Sequence, residues 1–429
     1  MTHLKIFLLL AALLIGAGIA TAQDTAPATD VSPDLLAQLE LIEAIVIEVR
    51  GLEPNDTVTR VFPTREDVQA FLQESIDEQL TPEIVAEVEA FYYVYDFASR
   101  EIDLIDTYLT LIEDQIGGYY DPEDKTLNTI LFSGETPGDS LPALEQVIYA
   151  HEYVHALQDQ NYGLASLGFD PEALEDADTD QFLAVQALVE GDATYTMNVY
   201  TEILVSENPF AAVSLLGASL TAGGLVPPEG TPPILMRELT FPYNTGLNFV
   251  TALIAEGGYE AVDVAFTGNL PQSTEQILHP QRYFAGDMPQ PVTLGEGTAA
   301  ALGPDWTEMT QNTLGEFYLR AYVDNHLTRD VWLEGTTGWG GDRYALYQNA
   351  TGDEFAMLTR TAWDTPADSD EFAAVYDRYG EARFAASSVN GCWSDAASAV
   401  CYTVLPGGDV VIARAPSVDG AQALVATQS

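Results

Sequence analysis

The 429-residue chain carries 66 Asp+Glu against 15 Lys+Arg, a formal net charge of −51, while 47% of its residues are hydrophobic and 10% aromatic. That apolar content supports a sizeable core and sets wholesale disorder aside. A charge of this size repels phosphate backbones and anionic headgroups, which excludes nucleic acid and anionic membranes as general partners.

Residues 1–22 read as a signal peptide, with Lys5 closing the n-region, an apolar run from Ile6 to about Ile19, and Ala20-Thr21-Ala22 as the cleavage site. The mature chain is therefore expected to be exported, extracytoplasmic or secreted, with no stable membrane insertion after cleavage. Residues 23–34 read as a flexible linker. From Leu35 to Ile116 apolar residues recur at three- and four-residue spacing, through Leu35, Leu39, Ile42 and Val46 and again through Val85, Val88, Phe91, Tyr92 and Tyr95, which predicts a helical N-terminal part. Gly117-Gly118 interrupt it, and Leu127–Phe132 reads as a strand.

Helices are predicted near 140–160 and 180–203. The acidic segment between them, Asp170 to Asp180, lacks the glycine and alternation of an EF-hand loop, so a solvated loop is favoured over a Ca2+ site. Gly and Pro pairs make 221–243 a connector before a helix starting near Tyr243. Residues 299–429 mix helices at Thr313–His326 and Ser369–Tyr379 with a hairpin from Val400–Val404 and Val410–Ile412. Gly338–Arg343 reads as a tight turn with a buried polar contact. Cys392 and Cys401 are expected to form a disulfide stapling the hairpin, worth about 2–3 kcal/mol.

The chemistry concentrates in Ala150-His151-Glu152-Tyr153-Val154-His155-Ala156-Leu157-Gln158-Asp159. Asp139 or Ser140 is the expected N-cap, and Asn161 with Gly163 the stop. His151 and His155 lie one turn apart on the same face as Leu144, Val147 and Ile148, so both imidazoles reach one ion, and neutral imidazole is a preferred zinc ligand. Glu152 is placed to take a proton from a water at the open position. A third ligand is needed, and Glu190 supplies a carboxylate on the apolar face of the next helix, beside Leu183 and Ala187. Gly191 implies close backbone approach to a neighbour, such as the His151–His155 helix. Asp159 is placed either to orient a ligand imidazole or as an ordinary helix-end carboxylate. His279, before Pro280, is a candidate oxyanion donor. There is no G-x-S-x-G elbow.

The H-E-x-x-H helix, an apolar strand upstream and a helix with E-G-x-A downstream resemble the gluzincin zinc metallopeptidases, whose third ligand is a glutamate. His151 to Asp159 resembles the thermolysin-like helix that continues H-A-x-x-D, and Glu190-Gly191-Asp192-Ala193 resembles the aminopeptidase segment bearing the third ligand. Gly117 to Ile130 resembles the cleft-lining strand that pairs with extended substrate. Phe241 to Phe249 is similar to the Y-x-x-G helix start that supplies a tyrosine donor, which implies Tyr243 as the alternative to His279. The 35 positions between His155 and Glu190 exceed the familiar spacing, and the G-x-M-E-N signature of the aminopeptidases is absent.

The expected architecture is α+β and predominantly helical: a zincin-like region at 35–298 with a small cleft-lining sheet, and a C-terminal α+β region at 299–429. The expected activity is that of an exported zinc-dependent hydrolase acting on peptide or protein, with one Zn2+ on His151, His155 and Glu190. The rival is an inactive secreted binding or scaffold protein that keeps the same fold.

Overall fold

The computed structural model describes residues 31–132, 136–170, 177–221 and 227–428, with backbone alone at 74–79, 113–115 and 218–221. The expected signal peptide, most of the linker and positions 171–176 of the acidic segment lie outside the described residues.

Helix α1 (Pro33–Arg50) starts at Ser32, whose hydroxyl accepts from Leu35 N, and stops at Gly51 in the left-handed region, φ 77°. Its buried stripe is Leu35, Leu39, Ile42, Val46 and Arg50. A short strand β1 (Thr59–Val61) follows, then α2 (Arg65–Gln79), α3 (Pro82–Val94) and α4 (Leu104–Gln115). The predicted N-terminal helical part is thus four helices plus a three-residue strand that gave no periodic signal. Strands β2 (Gly118–Asp121) and β3 (Thr126–Thr129) form a hairpin, and β1 joins it parallel to β3, giving the order β1-β3-β2.

Helix α5 (Ala143–Tyr162) carries the H-E-x-x-H sequence. Its N-cap position is Pro142 with no side-chain cap, so neither Asp139 nor Ser140 serves, while Gly163 ends it as expected. Helix α6 (Thr179–Glu207) is capped by Asp178, which accepts from the amides of Asp180 and Gln181. Then come α7 (Pro209–Thr221) and α8 (Pro233–Thr267). The second half of the expected connector, 233–243, is therefore helix. Pro232 and Pro233 start α8, and the chain continues helically through Pro242 until Gly257 and Gly258 kink it.

Short helices α9 (Thr274–Leu278), α10 (Pro280–Ala285) and α11 (Thr298–Leu302) lead to β4 (Trp306–Asn312), α12 (Gly315–Asp324), α13 (Arg329–Thr336), β5 (Trp339–Asn349), β6 (Phe355–Trp363), α14 (Pro366–Phe384), β7 (Cys392–Ser394), β8 (Ala399–Val404), β9 (Val410–Ala415) and α15 (Val418–Ala426). The C-terminal strands make one antiparallel sheet, β4-β5-β6-β9-β8-β7. The predicted hairpin is its β8–β9 pair. The predicted turn at Gly338–Arg343 is instead mostly the start of β5, because a side chain at Gly341 would collide with the Gln290 backbone and only glycine permits that approach. The disulfide Cys392–Cys401 is present, yet it joins directly opposed residues of β7 and β8 rather than clasping β8 to β9.

The molecule is α+β and predominantly helical. Alternate residues of the C-terminal sheet face two cores. Tyr344, Leu346, Met357, Val410 and Ile412 join Phe91, Tyr95, Tyr318 and Tyr322 in the main core, while Ala345, Tyr347, Leu358, Val411 and Ala413 pack with Ala421 and Leu424 of α15. No helix among the described residues is long and apolar enough to cross a membrane.

Candidate metal centre

Three elements build the site. Helix α5 presents His151 and His155, α6 presents Glu190, and α8 presents Tyr243. The two imidazoles meet with their Nε2 atoms 3.1 Å apart, and Glu190 Oε2 lies 3.1 Å from His151 Nε2 and 3.5 Å from His155 Nε2. One donor atom from each of these residues falls within 4.8 Å of the others, and among the described residues they form a group that could hold a metal ion. All three side chains are buried.

A crossing of small residues sets this geometry. A Cβ on Gly191 would collide with the backbone of Gly246, and a Cβ on Gly246 with the carbonyl of Ala187, so α6 and α8 touch backbone to backbone. The close approach expected at Gly191 is thus to α8, not to the His151–His155 helix. It carries Tyr243, one turn before Gly246, to Glu190, where its hydroxyl donates to Oε1 at 3.2 Å.

The electrostatics are those of a cation site. Burial alone would raise the Glu190 carboxyl, but the His155 charge and the hydrogen bonds from both imidazoles bring it down to about 2. Burial opposes charge on His155 as well, yet the Glu190 and Glu152 carboxylates push it up to about 9. Burial lowers His151. A raised imidazole against a lowered carboxylate at contact distance favours positive charge here, and a dication could take that place. Two nitrogens and one carboxylate oxygen fit zinc, which favours N and O donors in a four-coordinate shell.

Glu152 points to the same region. Burial is the largest cause raising its carboxyl to about 8, with Glu190 adding to the rise, and its Oε2 takes no hydrogen-bond partner among the described residues. Strand β2 lies over it: a Cβ at Gly118 would sit 2.9 Å from Glu152 Cγ, so glycine lets the sheet close on the helix here. The strand beside the site is β2, at an edge of its sheet and within the Gly117–Ile130 segment, while the strand expected at Leu127–Phe132 is the shorter, central β3.

His279 is not brought into the cluster. Its Nε2 lies 3.2 Å from Glu316 Oε1 and 2.9 Å from an Arg320 nitrogen, at the junction of α9 and α10. Asp159 does not orient a ligand either, because it accepts from Tyr120 OH at 3.1 Å and Leu164 N at 3.0 Å. That place belongs to Gln158, which no earlier signal singled out. Its Oε1 is 2.9 Å from His155 Nδ1, and its Nε2 donates to Val189 O at 3.0 Å and Asp192 Oδ2 at 2.9 Å. Asp192 in turn accepts from Arg50 Nε at 2.9 Å. Position alone carried a hint, since Gln158 is three residues after His155 and shares its face.

The acidic segment offers no comparable group among its described residues. Asp178 caps α6 and Asp180 accepts from Thr274 N at 3.0 Å and from its hydroxyl at 2.5 Å. A cavity of about 620 Å³ opens at that end of α6, lined by Asp180, Gln181, Gln272, Trp339 and Arg343. It lies about 15 Å along the helix from Glu190, at 1.5 Å per residue, and is separate from the metal cluster.

Compared with known proteins, residues 304–425 match a family described as "Domain of unknown function (DUF8575)", which covers all six strands of the C-terminal sheet and none of His151, His155 and Glu190. No curated protein matches the chain. Among solved structures it is similar to a "putative hydrolase with a novel fold" from Chloroflexus aurantiacus, at 19% identity and a TM-score of 0.37 over 66% of this chain and 97% of that one, a likeness too slight to transfer either fold or activity.

Proposed function

We propose that this protein is an exported zinc-dependent hydrolase of the gluzincin type, acting on peptide bonds. The observation that carries the reading is the convergence of His151, His155 and Glu190 within 4.8 Å, with Glu152 buried beside them. The disulfide supports an exported chain, since such bonds persist in oxidising compartments.

His151 and His155 would hold the ion through Nε2 and Glu190 through Oε2. Zinc bound there supplies Lewis acidity, sharpening the acidity of a water and polarising the scissile carbonyl. Glu152 accepts the proton of the attacking water and delivers it to the leaving nitrogen, so each turnover returns the carboxylate to its starting state. Tyr243 is the donor for the developing oxyanion, the role for which His279 lies elsewhere. The edge of β2 offers backbone donors and acceptors to an extended substrate.

The test is metal analysis of the mature protein together with digestion of an unfolded protein, with and without chelator. One zinc per chain and chelator-sensitive cleavage are expected, and Glu152→Gln should keep the zinc while cleavage falls at least about 100-fold. Full turnover in that variant removes Glu152 from its role. Stoichiometric zinc with no cleavage across a broad peptide library would point to an inactive binding protein instead.

A further inference from the structure

We infer that Arg50, on the N-terminal helix, is a positioning residue for the metal centre, acting through Asp192 and Gln158 on His155. The inference rests on the zinc reading above and extends it to a region the site chemistry does not touch.

Arg50 ends α1 and is fully buried. Its Nε donates to Asp192 at 2.9 Å, NH1 pairs with Asp263 at 2.8 Å, NH2 donates to Tyr162 OH at 3.1 Å, and the guanidinium lies 4.8 Å over the Tyr259 ring. One cation thus fixes the carboxylate directly behind the site. A buried arginine holding an acid is a planar fork with little freedom to rearrange.

The orientation then propagates atom by atom. Both partners of the Gln158 nitrogen, Val189 O and the Asp192 carboxylate, only accept hydrogen bonds. The amide oxygen must therefore face His155 Nδ1, which must carry the hydrogen. His155 Nε2, the atom facing His151 and Glu190, is left as the ligating nitrogen. Without the guanidinium, Asp192 loses its fixed partner, and Val189 O is left as the one fixed anchor of the amide, which then turns more readily. A turned amide presents N–H to Nδ1 and moves the imidazole hydrogen onto Nε2, where it competes with the metal. His151 has no equivalent restraint, since its Nδ1 has no partner among the described residues. The tautomer control of the site sits on His155 alone.

Because Arg50 belongs to α1, a general loosening of that helix must be separated from the relay. Arg60 supplies the control. It clasps Glu43 of α1 at 2.8 Å and Tyr149 of α5 at 3.0 Å without reaching Asp192. The experiment compares zinc dissociation into a chromophoric chelator for the full-length mature wild type, Arg50→Met, Arg50→Lys, Gln158→Leu and Arg60→Met, with melting temperatures alongside. Arg50→Met and Gln158→Leu should release zinc about 10–100-fold faster. Arg50→Lys should fall between, keeping charge but losing the fork, and Arg60→Met should match wild type in zinc release whatever its melting temperature. Unchanged release from Gln158→Leu and Arg50→Lys overturns the relay, as does equal loss from Arg60→Met. A wild type that binds no zinc overturns the reading of the site itself.

Discussion

Two carboxylates in this protein, one largely and one fully enclosed, are held low in opposite ways. Asp96, at the end of α3, is enclosed by Arg414 at 2.7 Å, Arg383 at 2.9 Å and the Tyr379 hydroxyl at 2.7 Å. Burial would raise it, but Arg414 and Arg383 keep it below the usual carboxylate range. Glu190 is more deeply buried and is also held low, yet its partners are two imidazoles and a phenol, with no arginine or lysine paired to it among the described residues. Guanidinium is a permanent cation, so the Asp96 cluster is closed and joins α3 to the C-terminal sheet. Imidazole can give up its proton, which guanidinium does not, so the Glu190 cluster could exchange a proton for a metal ion. A carboxylate becomes a rivet or a candidate binding site according to which cation faces it.

Two substitutions should break this contrast in opposite directions. Glu190→Gln removes a ligand, and zinc affinity should drop by more than about 100-fold, beyond the loss typical of an outer partner, while the metal-free protein unfolds close to wild type. Asp96→Ala removes the carboxylate facing Arg414 and Arg383 and should cost about 2–4 kcal/mol in denaturant unfolding, less than a fully buried pair because Asp395 and the Tyr93 and Val94 carbonyls still hold the arginines, with zinc content unchanged. If Asp96→Ala sheds zinc, or Glu190→Gln unfolds the protein, the division between rivet and site is wrong. A finer cut comes from Tyr243→Phe, which leaves both anions in place. Its zinc content should stay at wild type and kcat should fall about 100-fold with little change in KM, as for loss of one oxyanion donor.

What the sequence made legible follows the range of the interaction. His151, Glu152 and His155 are fixed by one helix turn, so their spacing alone places them. Glu190 was legible because a carboxylate broke an apolar stripe. The same signal was present in Arg50, the polar member of the stripe Leu35, Leu39, Ile42 and Val46, but its meaning depended on Asp192 more than a hundred residues away. Tyr243 followed only from a resemblance, since its placement depends on the tertiary crossing at Gly191 and Gly246. His279 was misplaced because a histidine between two short helices has no periodic face to show where it points. Strands β5 and β6 escaped notice for a related reason: both of their faces are buried, so neither shows the alternation of apolar and polar residues that marks a half-exposed strand.

The mildest test concerns a third carboxylate, the buried Glu238, which among the described residues meets neither arginine nor imidazole. Its oxygens receive there the Tyr92 hydroxyl, at 2.6 and 2.8 Å, and the Tyr318 hydroxyl at 2.8 Å. Burial raises it to about 8, the two phenols offsetting only part of that cost. The folded state therefore holds a proton that the unfolded chain releases near pH 4.5, and this group's contribution to stability declines as pH climbs from there through about 8. Glu238→Gln imitates the neutral acid, so at pH 5 its unfolding free energy should match wild type, and at pH 9 it should exceed wild type by about 1–3 kcal/mol, each unit of the rise being worth about 1.4 kcal/mol before relaxation and water entry reduce it. Asp96 has the opposite sign, its contribution being complete above about pH 4 and lost as pH falls through its lower folded value. A Glu238→Gln curve parallel to wild type from pH 5 to 9 would mean that the carboxyl is ionised in the fold, and a buried anion would then survive here on phenols alone, without the cation that the contrast between Asp96 and Glu190 requires.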